Sequence, residues 1–367
     1  MKVQSNLRRR DFINLAPVAP LATQAVAAGV AGAAPWRMGL NTYCLRALRW
    51  TDAQLLDYCA SLKLDAIFLQ DSLDPKAMDP AHWIEVRQHA SRLGLHLETG
   101  GGGILPRKAE LFDQAVTTLR RNIERAKAMG SPYVRAVIAS DRASLPPGPV
   151  EQHMETVVRL LRAVRTQVMD AGLKIIIEVH KDLLAWELRQ VVETAGKEFV
   201  GVYMDTGNPV FVLEHPMTTL ETLAPHICSL HLRDSVLYEH PRGVAVQWVP
   251  LGEGAVDFKA IMERASALCP NVYVYIKPIT GRPPQVIPYL EPGFWKMYPE
   301  MRAGDLARFL ALAKTGKPYE GHVVIEDLPG KLPEPFLAAV QYQQREHLER
   351  SVEYGKKVLG LGQRWRG

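Results

Sequence analysis

Polar residues stand at the ends of several short apolar runs, where a wholly apolar core does not explain them. Glu178 ends KIIIE, Asp205 ends VYMD, His231 lies in SLHLRD and Lys277 follows VYVYI. In an extended strand alternate residues share a face. On that period Glu178 lies with His180, His231 with Arg233, and Lys277 with Tyr273 and Tyr275. Arg135 in YVRAV, Asn208 in DTGNP, Glu98 and Asp71 occupy equivalent places on other runs. Taken singly, each has a plain structural role. A strand-end Glu can pair with a core arginine, Asp-Thr-Gly-Asn is good turn chemistry, and a lone His is more often a satisfied core residue. Taken together, two carboxylates and an imidazole from three consecutive strands form a candidate shell for a divalent cation: Mn, Mg, Co or Zn. Without a cation, two adjacent buried carboxylates would drive one pKa upward.

Eight short apolar, β-branched runs carry these residues. Strands are expected over 38–44, 65–69, 95–99, 133–139, 174–179, 200–204, 227–232 and 272–276. Between them, residues 53–62, 81–93, 108–129, 151–171, 186–195, 218–224 and 258–268 place apolar side chains at helical spacing. Strand–helix alternation with apolar strands predicts an α/β fold whose parallel sheet is buried on both faces, and eight units predict a (β/α)8 barrel. The rival is a doubly wound sheet, which wants a glycine-rich phosphate loop after the first strand. That position holds Asn41-Thr42-Tyr43-Cys44-Leu45, and the run Gly100–Gly103 follows the third strand, where an active-site loop is its expected meaning. Residues 280–334, rich in Pro and aromatics, read as an insertion before the last helix (335–359), with an extra strand at 322–327. The charged stretch 344–350 reads as solvated surface.

The order IIIE, MDTGN, HLRD and then LGEGAVDF (251–258) resembles the sugar phosphate isomerase/epimerase superfamily of xylose-isomerase-like TIM barrels. The resemblance runs from the first strand to the last helix. It implies one divalent metal held by a Glu, an Asp, a His and a second Glu on strands five to eight. Carried over, the metal ligands would be Glu178, Asp205 and His231, with the first Glu also acting as acid/base on a sugar carbon beside a carbonyl. The fourth ligand departs from the pattern, because Lys277 stands where the second Glu is expected. Three outcomes follow: three protein ligands with Lys277 displaced or neutral; a replacement ligand from Glu253, Glu326 or His180; or an ammonium in place of the metal, paired with Glu178 and Asp205. Asn208 also stands where many sugar epimerases of the superfamily carry a His.

The implied chemistry is proton abstraction next to a carbonyl of a sugar or sugar derivative, with Glu178 and Lys277 as catalytic residues and Arg135, His180, Asn208 and Arg233 binding substrate oxygens. The enediolate would be reprotonated by an isomerase or epimerase, or would expel a β-leaving group in a lyase. Lys277 also permits a Schiff base. A metal-free, non-catalytic sugar-binding barrel is the non-enzyme reading.

Composition bounds the partners. The 367 residues carry a net charge of +5. Four basic groups (Lys2, Arg8, Arg9, Arg10) and one acid (Asp11) lie in residues 1–33; the other 40 basic and 38 acidic groups nearly cancel. Basic residues, then an apolar stretch (15–33) ending Ala31-Gly32-Ala33, are the parts of a secretory signal, and the paired arginines suit the twin-arginine type. An exported, periplasmic barrel is expected, with the twin-arginine machinery as partner and a homo-oligomer possible. Free sugars, glycosides or other polyols are expected before phosphorylated ones. Neither nucleic acid nor, once the leader is removed, a membrane is expected. Cys44, Cys59, Cys228 and Cys269 form no CxxC and are expected as buried thiols.

Overall fold

The computed structural model describes residues 36–70, 72–326 and 332–367. The leader expected over residues 1–33 and the polar residue Asp71 lie outside the described residues. Eight parallel strands close into a barrel in the order β1 (Met38–Asn41), β2 (Ala66–Leu69), β3 (His96–Gly103), β4 (Tyr133–Val137), β5 (Lys174–Glu178), β6 (Val200–Asp205), β7 (Ile227–Leu232) and then β10 (Tyr273–Ile276), which pairs back with β1. These are the eight runs read from the sequence, except that the chain turns helical at Thr42 and that Gly100–Gly103, expected as a loop, completes β3. Their near-continuous apolar character follows from burial on both faces, by the barrel interior and by the helices outside.

The barrel interior is aromatic. Phe68, Tyr203 and Tyr275 are fully buried and pack with Ala66 and Ile176. This layer forms a floor beneath the C-terminal rim, where barrel chemistry sits. All seven helical segments expected between strands appear, although 151–171 is two helices, Val150–Ala163 and Arg165–Asp170. The last helix is Glu334–Lys357.

Strands β8 (Asp234–His240) and β9 (Gly243–Val249) form an antiparallel hairpin between β7 and the helix Phe258–Leu268. With β11 (Gln285–Ile287) they make a second, three-stranded sheet. The additions to the barrel therefore begin well before residue 280, where the insertion was expected. Within the insertion, Ala303–Thr315 is a helix, while 322–326 is irregular rather than a strand. The stretch 344–350 is not uniformly solvated: Gln344, His347 and Leu348 are buried. Cys44, Cys59 and Cys269 are buried, Cys228 is half-buried, and all four are free thiols.

The LGEG motif has a structural use here. The Asp234 carboxylate accepts backbone N–H bonds from Ser235, Gly252, Gly254 and Val256 at 2.9–3.1 Å. Gly254 passes so close to Asp234 that a Cβ there would overlap the carboxylate. One buried acid thus folds the loop 251–256 onto the start of β8.

Candidate active site

Strand alternation brings the expected residues to one rim. Glu178 ends β5, Asp205 ends β6, and Lys277 directly follows β10; all are buried. Lys277 Nζ donates to Glu178 Oε1 at 2.9 Å and to the Tyr203 hydroxyl at 2.6 Å, and lies 3.4 Å from Asp205 Oδ2. Arg135 Nε donates to the other oxygen of Glu178, Oε2, at 2.5 Å. Arg233 Nη2 is 2.9 Å from Asp205 Oδ2. Two carboxylates therefore meet three cationic side chains, with Lys277 between them.

Electrostatics follows from that count. Burial alone would raise the Glu178 pKa, but Arg135 and then Lys277 outweigh it and hold the carboxyl well below its usual range. Burial pulls Lys277 down to about 8, with Glu178 opposing and Arg233 assisting. Burial likewise takes His180 to about 3, so its imidazole is neutral. Glu178 is thus a firmly ionised and weak base, whereas Lys277 is an acid poised near neutrality.

His231 sits lower. Its ring packs edge-on against Tyr203 and Phe68 and stacks on Tyr275. Ser229 Oγ donates to Glu98, so its oxygen accepts from His231 Nε2 at 2.9 Å. Nδ1 then carries a lone pair with no hydrogen-bond partner. Burial and the Lys277 charge push the His231 pKa well down.

These residues do not fit a dication as they stand. The carboxylates and the Nδ1 lone pair are suitable donors, but the Lys277 ammonium occupies the place between the carboxylates, and the surrounding cations already exceed their charge. Among the described residues, the group whose ligand atoms all come within 4.8 Å of one another is Asp52, Asp74 and His82, elsewhere in the fold, and not Glu178, Asp205 and His231. Of the suggested replacements, His180 lines the same cavity as Glu178 and Lys277, with its Nδ1 unpartnered, whereas the other two are engaged elsewhere. Glu253 pairs with Arg350 and Tyr319, and Glu326 with Arg46 and Gln344.

A cavity of about 980 Å³ opens above, lined by Arg135, Glu178, His180, Arg233 and Lys277 among others. Asn208 is not part of that lining. It is fully buried, donates to Val179 O and accepts from Arg233 Nη1 at 3.1 Å, so it positions Arg233. Sequence reasoning missed Tyr203, although it lies two residues before Asp205 and so on the same face of β6. Asn41 Nδ2 also donates to its hydroxyl, at 3.2 Å. Lys181, Trp248 and Arg282, further along the cavity wall, were missed as well; Trp248 belongs to the unforeseen hairpin.

Residues 56–269, from within the helix Asp52–Ser61 to the end of the helix Phe258–Leu268, match the Xylose isomerase-like TIM barrel family. The chain belongs to this family. Curated relatives include the uncharacterised Escherichia coli protein YihM, 34% identical over 99 residues, which is 27% of this chain and 30% of that protein. The 3-oxo-isoapionate decarboxylase of Pectobacterium atrosepticum is 25% identical over 211 residues, 57% of this chain and 70% of that protein. The chain thus spans less than a third of the length of YihM it matches. Among solved structures, a D-psicose 3-epimerase determined in the presence of D-fructose superposes with a TM-score of 0.59 at 15% identity, over 88% of this chain and 99% of that one. At that identity the likeness concerns the fold.

Proposed function

We propose that this barrel is an enzyme that activates the carbonyl of a sugar-derived substrate, with the Lys277 ammonium standing where a barrel of this family would hold a divalent cation. The observation that carries the reading is the position of Lys277 Nζ, 2.9 Å from Glu178 and 2.6 Å from the Tyr203 hydroxyl at the base of the cavity. Family membership, with an epimerase among the structural neighbours and a decarboxylase among the relatives, supports the enzyme reading and a sugar-type substrate.

In this reading Lys277 donates a hydrogen bond to the substrate oxygen that becomes negative as an enediolate forms. Arg135 holds Glu178 ionised and fixes it, Arg233 fixes Asp205, and Asn208 fixes Arg233 in turn. The protonation states favour a lyase over an epimerase. An epimerase needs a base strong enough to take a proton from carbon, and Glu178 is weakened by two cations. A lyase in which a carbon substituent leaves needs an electron-accepting oxygen, stabilised by a cation, and a proton donor for the carbon, and Lys277 suits both. The leader read over residues 1–33 supports action outside the cytoplasm.

The test is product analysis by NMR in D₂O with free and oxidised sugars. One solvent deuteron at a carbon that has lost a substituent is the expected result. Stereochemical inversion at an intact carbon, retained in Lys277→Met, would overturn the assignment of Lys277.

A further inference from the structure

The cavity carries more positive charge than its floor uses. Its lining includes Arg135, Lys181, Arg233, Lys277 and Arg282, against the carboxylates Glu178 and Glu326. On the floor, Arg135 and Lys277 serve Glu178, and Arg233 serves Asp205. Lys181 and Arg282 remain, higher on the wall. Lys181 Nζ reaches the Gln285 side-chain oxygen at 3.5 Å and lies 5.2 Å from the Phe211 ring and 5.4 Å from that of Trp248. Arg282 approaches Glu326 only to 3.9 Å, and that carboxylate is in closer contact with Arg46 and accepts from Gln344. Among the described residues, neither Lys181 nor Arg282 has a carboxylate at hydrogen-bond distance. Burial lowers the pKa of both: at Lys181 the Asp141 charge opposes this and Arg233 and Arg282 add to it, while at Arg282 the Arg46 charge adds to it and Glu326 and Tyr43 oppose it. Partly buried cations with only distant carboxylate partners, facing a cavity, are unfavourable until an anion arrives.

We infer that the substrate is a sugar acid rather than a neutral sugar, its carboxylate bound by Lys181 and Arg282 on the cavity wall while its carbonyl reaches Lys277. This deepens the proposed function and rests on its sugar-type substrate. The volume suits a monosaccharide acid with room to spare. A guanidinium and an ammonium together match one carboxylate, and the guanidinium can grip it through two parallel bonds. The same pair would steer anions to the mouth at low ionic strength.

Calorimetric titration of the purified protein with D-gluconate, D-glucuronate, D-fructose and D-glucose 6-phosphate tests this. Thermal unfolding of Lys181→Met and Arg282→Met, on the cavity wall, first shows that each variant is folded. The sugar acids are expected to bind more tightly than D-fructose and to weaken with added salt, and each variant is expected to lose about tenfold or more in affinity for the acids. D-fructose binding as tightly as the sugar acids, with neither substitution weakening the acids, would overturn the inference and leave the Lys277 assignment standing. Preference for the phosphate ester would overturn the carboxylate. No binding of any of the four at millimolar concentration would count against both readings.

Discussion

Two places in this molecule bring two carboxylates together beside a histidine, and they balance charge differently. At the rim, Glu178 and Asp205 are met by Lys277, Arg135 and Arg233, while His231 lies neutral beneath. Where the first helix (Asp52–Ser61) begins, Asp52 and Asp74 are met by His82 alone, whose Nε2 is 3.0 Å from one and 3.7 Å from the other. Ser72 donates to Asp52, and the backbone N–H of Asp52 donates to Asp74. The first cluster contains its own cation, so an added dication would meet net positive charge. The second has ligand atoms close enough for an ion and no lysine among them. Similar donors thus acquire different chemistry from the cations packed beside them.

The largest expected effect breaks the rim cluster. Lys277→Met removes the built-in cation and should lower kcat/KM roughly 10²–10³-fold, the scale of losing one donor to a developing oxyanion. Steady-state kinetics on any substrate found measures it. Lys277→Glu should do the converse for binding: it supplies a third carboxylate at the vacated position, and calorimetry with Mn²⁺ should show one site that wild type lacks and that Asp205→Ala removes.

The next test leaves Lys277 in place and changes its charge. With its pKa at about 8, the ammonium form dominates below that value, so kcat/KM should fall as pH rises through about 8. The sign for stability is opposite, because a buried lysine with a lowered pKa opposes folding while charged. Its cost should ease as pH rises from about 8 toward the ordinary lysine value. A pH–rate profile decides. Activity rising through that range would mean that the neutral amine is the working form.

Smaller effects separate scaffolding from chemistry. Arg135→Met leaves Glu178 short of a partner and should cost about 3 kcal/mol in urea unfolding. Asp234→Ala strands four backbone N–H groups of the LGEG loop and should cost on the order of 2–3 kcal/mol. The smallest effect belongs to the second cluster. His82→Ala should cost about 1 kcal/mol and leave turnover within twofold, since nothing there lines the cavity.

The barrel was legible because parallel strands buried on both faces leave unbroken apolar runs, and all eight appear where those runs lie. The hairpin β8–β9 was not. DSVLYEH and GVAVQWV are joined by Pro241-Arg242 rather than an Asn-Gly turn, and they lie where a barrel needs no strand. With β9 went Trp248, and with it one wall of the cavity. HVVIE looks like a strand by composition but finds no ladder to join. Glu178, Asp205 and Lys277 were legible because period two and the barrel rule place strand ends at one rim. The roles were less so. Asn208 reads as a substrate contact but is spent on Arg233, and Gln344 reads as surface but is buried against Glu326 and the Ala47 backbone. Side-chain pairing across strands depends on register, which a linear sequence does not display.

The central claim is that an ammonium holds the place of a metal. The most direct measurement is turnover of the purified enzyme after exhaustive chelation, with metal content determined on the same sample. The account predicts unchanged kcat/KM and no ion whose binding depends on Glu178 or Asp205. A stoichiometric divalent ion that disappears in Glu178→Ala and Asp205→Ala, with wild-type activity lost on chelation and restored by adding the ion back, would contradict it.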